Sequence, residues 1–241
     1  MRTSTPTLVV LAETAQLPLV TRWAKQVGRF WNGVLAADED SLVRRALADS
    51  CALAAEMGGA PLAKQPWAGQ VAAALGNMGA PVNVQQPEKI DVADIEEFAT
   101  DTFRHQLTAA QGTRVPQYVA AAGADCDSLP GYLLMVPQRA RRRALAQLRT
   151  GSHWLAEETG RWQQLARERR LCPHCAAAGE SHVEDATHAI LHCPHSAPLR
   201  AQYPDIFVPA HTTSLHAFFR QPDAIQLASF SRALYRLHRL P

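Results

Sequence analysis

Between Leu171 and Pro194 the chain reads LCPHCAAAGESHVEDATHAILHCP, and no other stretch restricts its fold as strongly. Cys172 and Cys175 form a Cys-x-x-Cys pair, and His188 and Cys193 follow after a gap of twelve residues. A zinc ion takes four sulfur or imidazole ligands in a tetrahedron, and the tight turn of a Cys-x-x-Cys pair presents two thiolates to one ion. Pro173 stiffens that turn. Residues 185–192 are expected to make two helical turns with His188 facing inward. Pro194 biases Cys193 away from helical geometry, so its thiolate can bend back toward His188. Four protein ligands close the coordination shell, which implies a structural Zn(2+) rather than a catalytic one. His174, His182, His192 and His195 compete for the imidazole place. His192 abuts Cys193 and would strain a shared tetrahedron, so His188 is the expected ligand.

Two enzymatic readings of the same residues are weaker. Cys-Pro-His-Cys also suits a disulfide-exchange pair, whose first thiol is activated at a helix N-terminus. Such pairs follow an apolar strand, whereas ARERRL precedes this one. Zinc deaminases place His-x-Glu before Pro-Cys-x-x-Cys. Here His182-Val183-Glu184 comes after the cysteines, so that order fails.

The remaining cysteines, Cys51 and Cys126, lie far from the quartet and from each other. A secreted disulfide scaffold would be shorter and more evenly cross-linked, so a reducing, intracellular setting fits better. No apolar run suggests a signal peptide or a membrane span. With 241 residues, 47% of them hydrophobic and 19% charged, the chain can build a real core. Its net charge of +2 hides a split. Residues 1–137 hold 10 cationic side chains against 14 acidic ones, and residues 138–241 hold 14 against 8, every cation there being Arg. Planar guanidinium groups suit phosphate, because each can engage two oxygens at once. A nucleotide bias that inflates Ala and Arg together explains Arg in place of Lys, but not the split.

The hydrophobic periodicity is helical nearly throughout and predicts a mainly α protein. After a loose leader over residues 1–10, a helix is expected from Ala12, with Leu17, Val20, Trp23, Ala24 and Val27 on its packed face. A second helix starts at Asp40 or Ser41, which can cap it, and stops at Gly58-Gly59. Its expected stripe is Leu42, Ala46, Leu47, Ser50, Leu53 and Ala54. Residues 67–78 and 91–112 supply two more, the latter packing Ile95, Phe98, Ala99, Phe103 and Leu107. The Gly- and Pro-rich run 111–137 reads as a connector. Beyond it, VPQRARRRALAQLRTGSH restarts a helix, with Arg139, Arg141, Arg142, Arg143 and Arg149 outward. A short and a longer helix close the chain, and only a short hairpin at the first two cysteines is expected as β structure. The expected organisation is a helical domain over 1–110, the connector, an arginine-rich zinc-knuckle module over 138–210, and C-terminal helices over 211–241.

The ordered run ALAQLRTGSHWLAEETGRW, RERRLCPHC and EDATHAILHCPHSAPLR resembles the C-terminal zinc-knuckle region of non-LTR retrotransposon polyproteins. The shared positions are Leu145, Leu148, Arg149, Gly151, His153, Leu155, Gly160, Arg161, Arg170, Cys172, Cys175, Glu184, His188, Leu191, Cys193, Pro194 and Arg200. Phe30-Trp31-Asn32 and Trp67 are faintly similar to the helical stretch that precedes the knuckle there. The chain departs from the pattern at Ala189, in the long gap before His188, and in having no paired-aspartate polymerase motif. The resemblance implies a non-catalytic module that grips RNA or single-stranded DNA. Its expected contacts are Arg141, Arg142, Arg143, Arg149, His153, Arg161, Arg169, Arg170 and Arg200. Trp154 and Trp162 are expected in the core. Residues 1–110 offer a surface for a protein partner as the alternative reading, and His105, His211, His216 and His238 read as ordinary polar residues.

Overall fold

A computed structural model describes residues 5–112 and 114–239. Among them the chain is helical, with no strand, and the expected hairpin reduces to one antiparallel bridge between Leu171 and Val183. In chain order the helices are α1 (Thr7–Glu13), α2 (Leu19–Leu35), α3 (Leu42–Glu56), α4 (Trp67–Gly76), α5 (Val92–Ala109), α6 (Arg114–Ala122), α7 (Gly131–Met135) and α8 (Arg139–Arg149). There follow α9 (Ala156–Trp162), α10 (Pro173–Ala177), α11 (Ala197–Ala201), α12 (Leu215–Arg220) and α13 (Ala224–Arg239). Two compact bodies form. One spans Leu17–His105, and the other joins the residues up to Gln16 to those from Gln106 onward.

In the Leu17–His105 body, Pro18 forces a fresh start, so α1 and α2 are separate helices where one was expected from Ala12. The packed face of α2 carries Thr21, Ala24, Gly28, Trp31 and Val34, at three- and four-residue steps. Val20 and Trp23, expected inside, are exposed. Trp31 is fully buried, stacks on Trp67 and donates its indole N–H to the Glu88 carbonyl. The Asn32 carboxamide donates to the Ile90 carbonyl and accepts from the Ile90 amide, at 2.8 and 2.9 Å. This strapped segment passes so close to α2 that a Cβ on Gly28 would lie 2.8 Å from the Ile90 side chain. Ser41 caps α3 by accepting from the Arg44 amide. The buried stripe of α3 is Leu47, Cys51 and Ala54, while Leu42 and Leu53 face solvent. In α5, Ile95, Ala99, Phe103 and Leu107 are buried and Phe98 is exposed.

The second body has its core in α7, α8, α12 and α13, built on Leu145, Leu148, Leu155, Phe218, Phe230 and Leu234. The expected connector at 111–137 is instead an integral part of it. Val115, Tyr118 and Ala121 of α6 and Tyr132 of α7 are buried, because Gly131 and Pro130 begin a helix here rather than a linker. The expected loose leader also carries structure, since α1 buries Val9, Ala12 and Glu13. Residues 1–4 lie outside the described part.

Glu13 explains how α1 is held. Its carboxylate is fully buried and accepts from Arg149 Nε at 2.7 Å, Tyr132 Oη at 2.6 Å and Tyr118 Oη at 3.0 Å. Arg149 Nη2 donates to it as well. Burial and the adjacent carboxylate push both phenols far above their ordinary range, so they remain donors at any physiological pH. Burial pulls Arg149 toward the neutral form, but Glu13 more than offsets this. A buried pair with every lone pair satisfied is costly to break on one side only, since the surviving charge loses its solvation. Glu13→Ala is expected to destabilise this body by about 3–5 kcal/mol in urea unfolding. Glu13→Gln, which keeps an acceptor, should lose distinctly less.

Candidate metal centre

Cys172 ends an extended segment, and its backbone is tied by the Cys172 amide donating to the His182 carbonyl at 2.8 Å. Pro173 at the first position of α10 then turns the chain, so that Cys175 lies one turn on and on the same side. The Leu171–Val183 bridge closes the loop of residues 171–183. Glu184 secures its exit, with its amide donating to the Arg170 carbonyl at 2.9 Å.

The second pair is brought together by an unusual turn. Residues His188–His192 form a π-helical segment, and the Cys193 amide donates to the His188 carbonyl five residues back, at 2.7 Å. In an α-helix positions five apart diverge, because a turn takes about 3.6 residues. The wider turn returns Cys193 to the side of His188. The expected pair of ordinary helical turns is therefore corrected to one α-turn widening into a π turn. The Asp185 carboxylate accepts from the His188 amide at 2.8 Å and pins the start.

All four ligand atoms lie within 4.8 Å of one another and all four residues are buried. Cys193 Sγ stands 3.9 Å from both Cys172 Sγ and Cys175 Sγ, and Cys175 Sγ stands 3.3 Å from His188 Nε2. A tetrahedron with bonds of about 2.3 Å to sulfur and about 2.0 Å to nitrogen puts sulfurs about 3.8 Å apart, and sulfur and nitrogen about 3.5 Å apart. The three separations match those edges closely, and the donor set could hold one metal ion. The sulfur separations also exceed a covalent bond, and no disulfide joins any two cysteines among the described residues.

Outer contacts hold this arrangement. Arg200 donates to the Cys193 carbonyl at 3.0 Å. Glu184 accepts from the Ala156 amide at 2.6 Å through one oxygen, capping α9, and pairs with His238 Nδ1 at 2.8 Å through the other. His238 Nε2 meets Ser196 Oγ at 3.0 Å. His238, expected to be an ordinary polar residue, thus has a buried side chain that ties α13 to Glu184 and Ser196. Nothing in the local sequence around His238 marks it, because its partners lie 42 and 54 residues away.

The expected nucleic-acid contacts divide sharply. Arg149 is sealed in the Glu13 network and His153 is buried, so neither reaches solvent phosphate. Arg170 donates to the Leu165 and Glu157 carbonyls and lies across Gly160, where a Cβ would come within 2.7 Å of its side chain. Its role is to pack the approach to Cys172. Arg200 serves Cys193, as described, and Arg161 pairs with Glu158. Arg142 donates to the Val136 carbonyl. Arg141, Arg143 and Arg169 remain without an ion-pair or hydrogen-bond partner among the described residues, and Arg143 and Arg169 are exposed. Trp154 is buried as expected, whereas Trp162 is half exposed. Against known proteins, no family profile, no curated protein and no solved structure matches this chain.

Burial pushes the Cys172 thiol up, although the Cys175 and His174 amides oppose the shift. Burial and the neighbouring thiols push Cys175 up to about 12. Burial, then His182, holds His188 below its ordinary value, so the imidazole is neutral and ready to ligate at pH 7. Metal capture by three thiolates must therefore expel the thiol protons but none from His188. Affinity should rise steeply with pH, by up to about a thousandfold per unit around neutrality for three protons released. Competition against a chromogenic chelator at pH 6.5 and 7.5 reads this directly. Cys193→Ser, or metal removal, should raise hydrogen exchange across residues 150–200 while the amides of α2–α4 keep their protection.

Proposed function

We propose that this chain is a non-catalytic, zinc-stabilised protein that binds RNA or single-stranded DNA. The observation that carries the reading is the closed Cys172–Cys175–His188–Cys193 shell. Three thiolates and one imidazole are a donor set that selects zinc among common divalent ions. A shell filled by protein leaves no coordination position for an activated water, which fits a structural role. The buried, high-pKa thiols also oppose the disulfide-exchange reading, because a reactive cysteine is exposed and easily ionised.

Nucleic acid is the partner favoured by the excess of Arg in residues 138–241 and by Arg141, Arg143 and Arg169 among the cations there that no carboxylate engages. The similarity of this stretch to retrotransposon knuckle regions points the same way. Purified protein is expected to carry one zinc per chain by elemental analysis. It should shift the fluorescence anisotropy of a labelled single strand at 50 mM salt and lose most of that affinity at 200 mM. Zinc-loaded protein that leaves the anisotropy flat at low salt would end the reading.

A second reading has its own observation. Leu19, Val20, Trp23 and Phe30 of α2 are each more than half exposed, an apolar group suited to a protein partner. Capture of a partner that survives nuclease treatment and Arg141–Arg143 charge reversal would favour it.

A further inference from the structure

A cleft of about 400 Å³ opens between α8 and α13, on a face that none of the quartet occupies. Its floor is small, Ala140 and Ala144, and its walls are Arg139 and Arg143 from α8 and Arg232 and Tyr235 from α13. Arg139 and Arg143 are one helical turn apart, about 6 Å along the axis, and form a row. No carboxylate among the described residues lies within ion-pair distance of Arg139, Arg143 or Arg232. Gln147 lines the same cleft and is 7% exposed, and a base edge or a phosphate oxygen there would bond its carboxamide.

We infer that this cleft, resting on the nucleic-acid reading above, seats a stretch of single-stranded polynucleotide. The phosphates run along Arg139 and Arg143, and an unpaired base lies at the Arg232–Tyr235 wall beside Gln147. The Arg232 guanidinium lies over the Tyr235 ring, 4.7 Å from its centre, so the base stacks on the guanidinium plane that covers the aromatic face. Tyr235 is itself braced edge-on by the buried Trp154, at 4.8 Å between ring centres, so the platform does not have to be ordered on binding. Stacking of this kind selects unpaired bases, because in a duplex the base faces are already covered. The α13 wall is in turn tied through His238 to Glu184 and Ser196, which lie near His188 and Cys193 in sequence.

The test uses the full zinc-loaded chain and a fluorescein-labelled twelve-nucleotide single strand, with a duplex of the same sequence as comparison. Arg143→Gln and Arg232→Gln are each expected to weaken single-strand binding about fivefold and to lower the slope of log affinity against log salt by about one. Gln147→Leu should weaken binding without changing that slope, since it removes no charge. Arg29→Gln, on the exposed side of α2, should leave affinity as it is. If the wild type binds the strand and the cleft variants bind it equally well, the cleft is overturned while the broader reading stands. Equal affinity for duplex would overturn the single-strand assignment. A wild type that binds neither probe removes the broader reading and the cleft together. Circular dichroism and zinc content at wild-type values show that a weakened variant is still folded.

Discussion

Three thiols and one imidazole converging within bonding range of a single point is the constraint on which the C-terminal half is built. Without an ion, the crowded sulfurs can only stay protonated or repel one another, and burial drives Cys172 and Cys175 to the protonated form. With an ion, the same crowding becomes four bonds, and the energy of forming them is folding energy, on the order of 10 kcal/mol or more for structural zinc in small modules. The loop from Cys172 to Cys193 has no strand or long helix of its own to keep it compact. One bridge, one short helix and one π turn enclose it, and each places a ligand.

The centre is also wired into the surrounding helices through a few polar contacts. Glu184 caps α9 with one oxygen and holds His238 of α13 with the other. Arg200 locks the backbone at Cys193, and Arg170 crosses Gly160 to brace the entry. These are the residues that a motif of ordered glycine, arginine and glutamate positions picks out. Their role here is architectural, because each charged or polar head is turned inward onto a carbonyl, an amide or a carboxylate. The cations left over for a partner are a different set, led by Arg139, Arg143 and Arg232. The buried Glu13–Arg149 pair does for α1 what a metal-filled quartet would do for the loop, joining distant segments by satisfied charge.

Much of this was legible in the residues alone. Helical periodicity announced the class, Ser41 the start of α3, and the spacing of cysteines and histidine the quartet itself. Local chemistry decides those features: a cap bonds three residues away, and a Cys-x-x-Cys turn is made by its own four residues. Face assignments were less secure. In α2 and α3 the small residues Thr21, Ala24, Gly28 and Cys51 are buried while Trp23, Phe30, Leu42 and Leu53 are exposed, and periodicity weighted by size points to the larger ones.

What the sequence determined by itself is a mainly α chain with four metal-capable donors at workable spacing and an arginine-rich second half. Only the tertiary structure decided which arginines face solvent, that α6 and α7 place core residues within the expected connector, and that Glu13 and His238 are buried anchors. The reason is range. Hydrogen bonds and turns within a few residues are encoded where they occur, but the burial of a charge depends on a partner 105 or 136 residues away, and no local pattern records it.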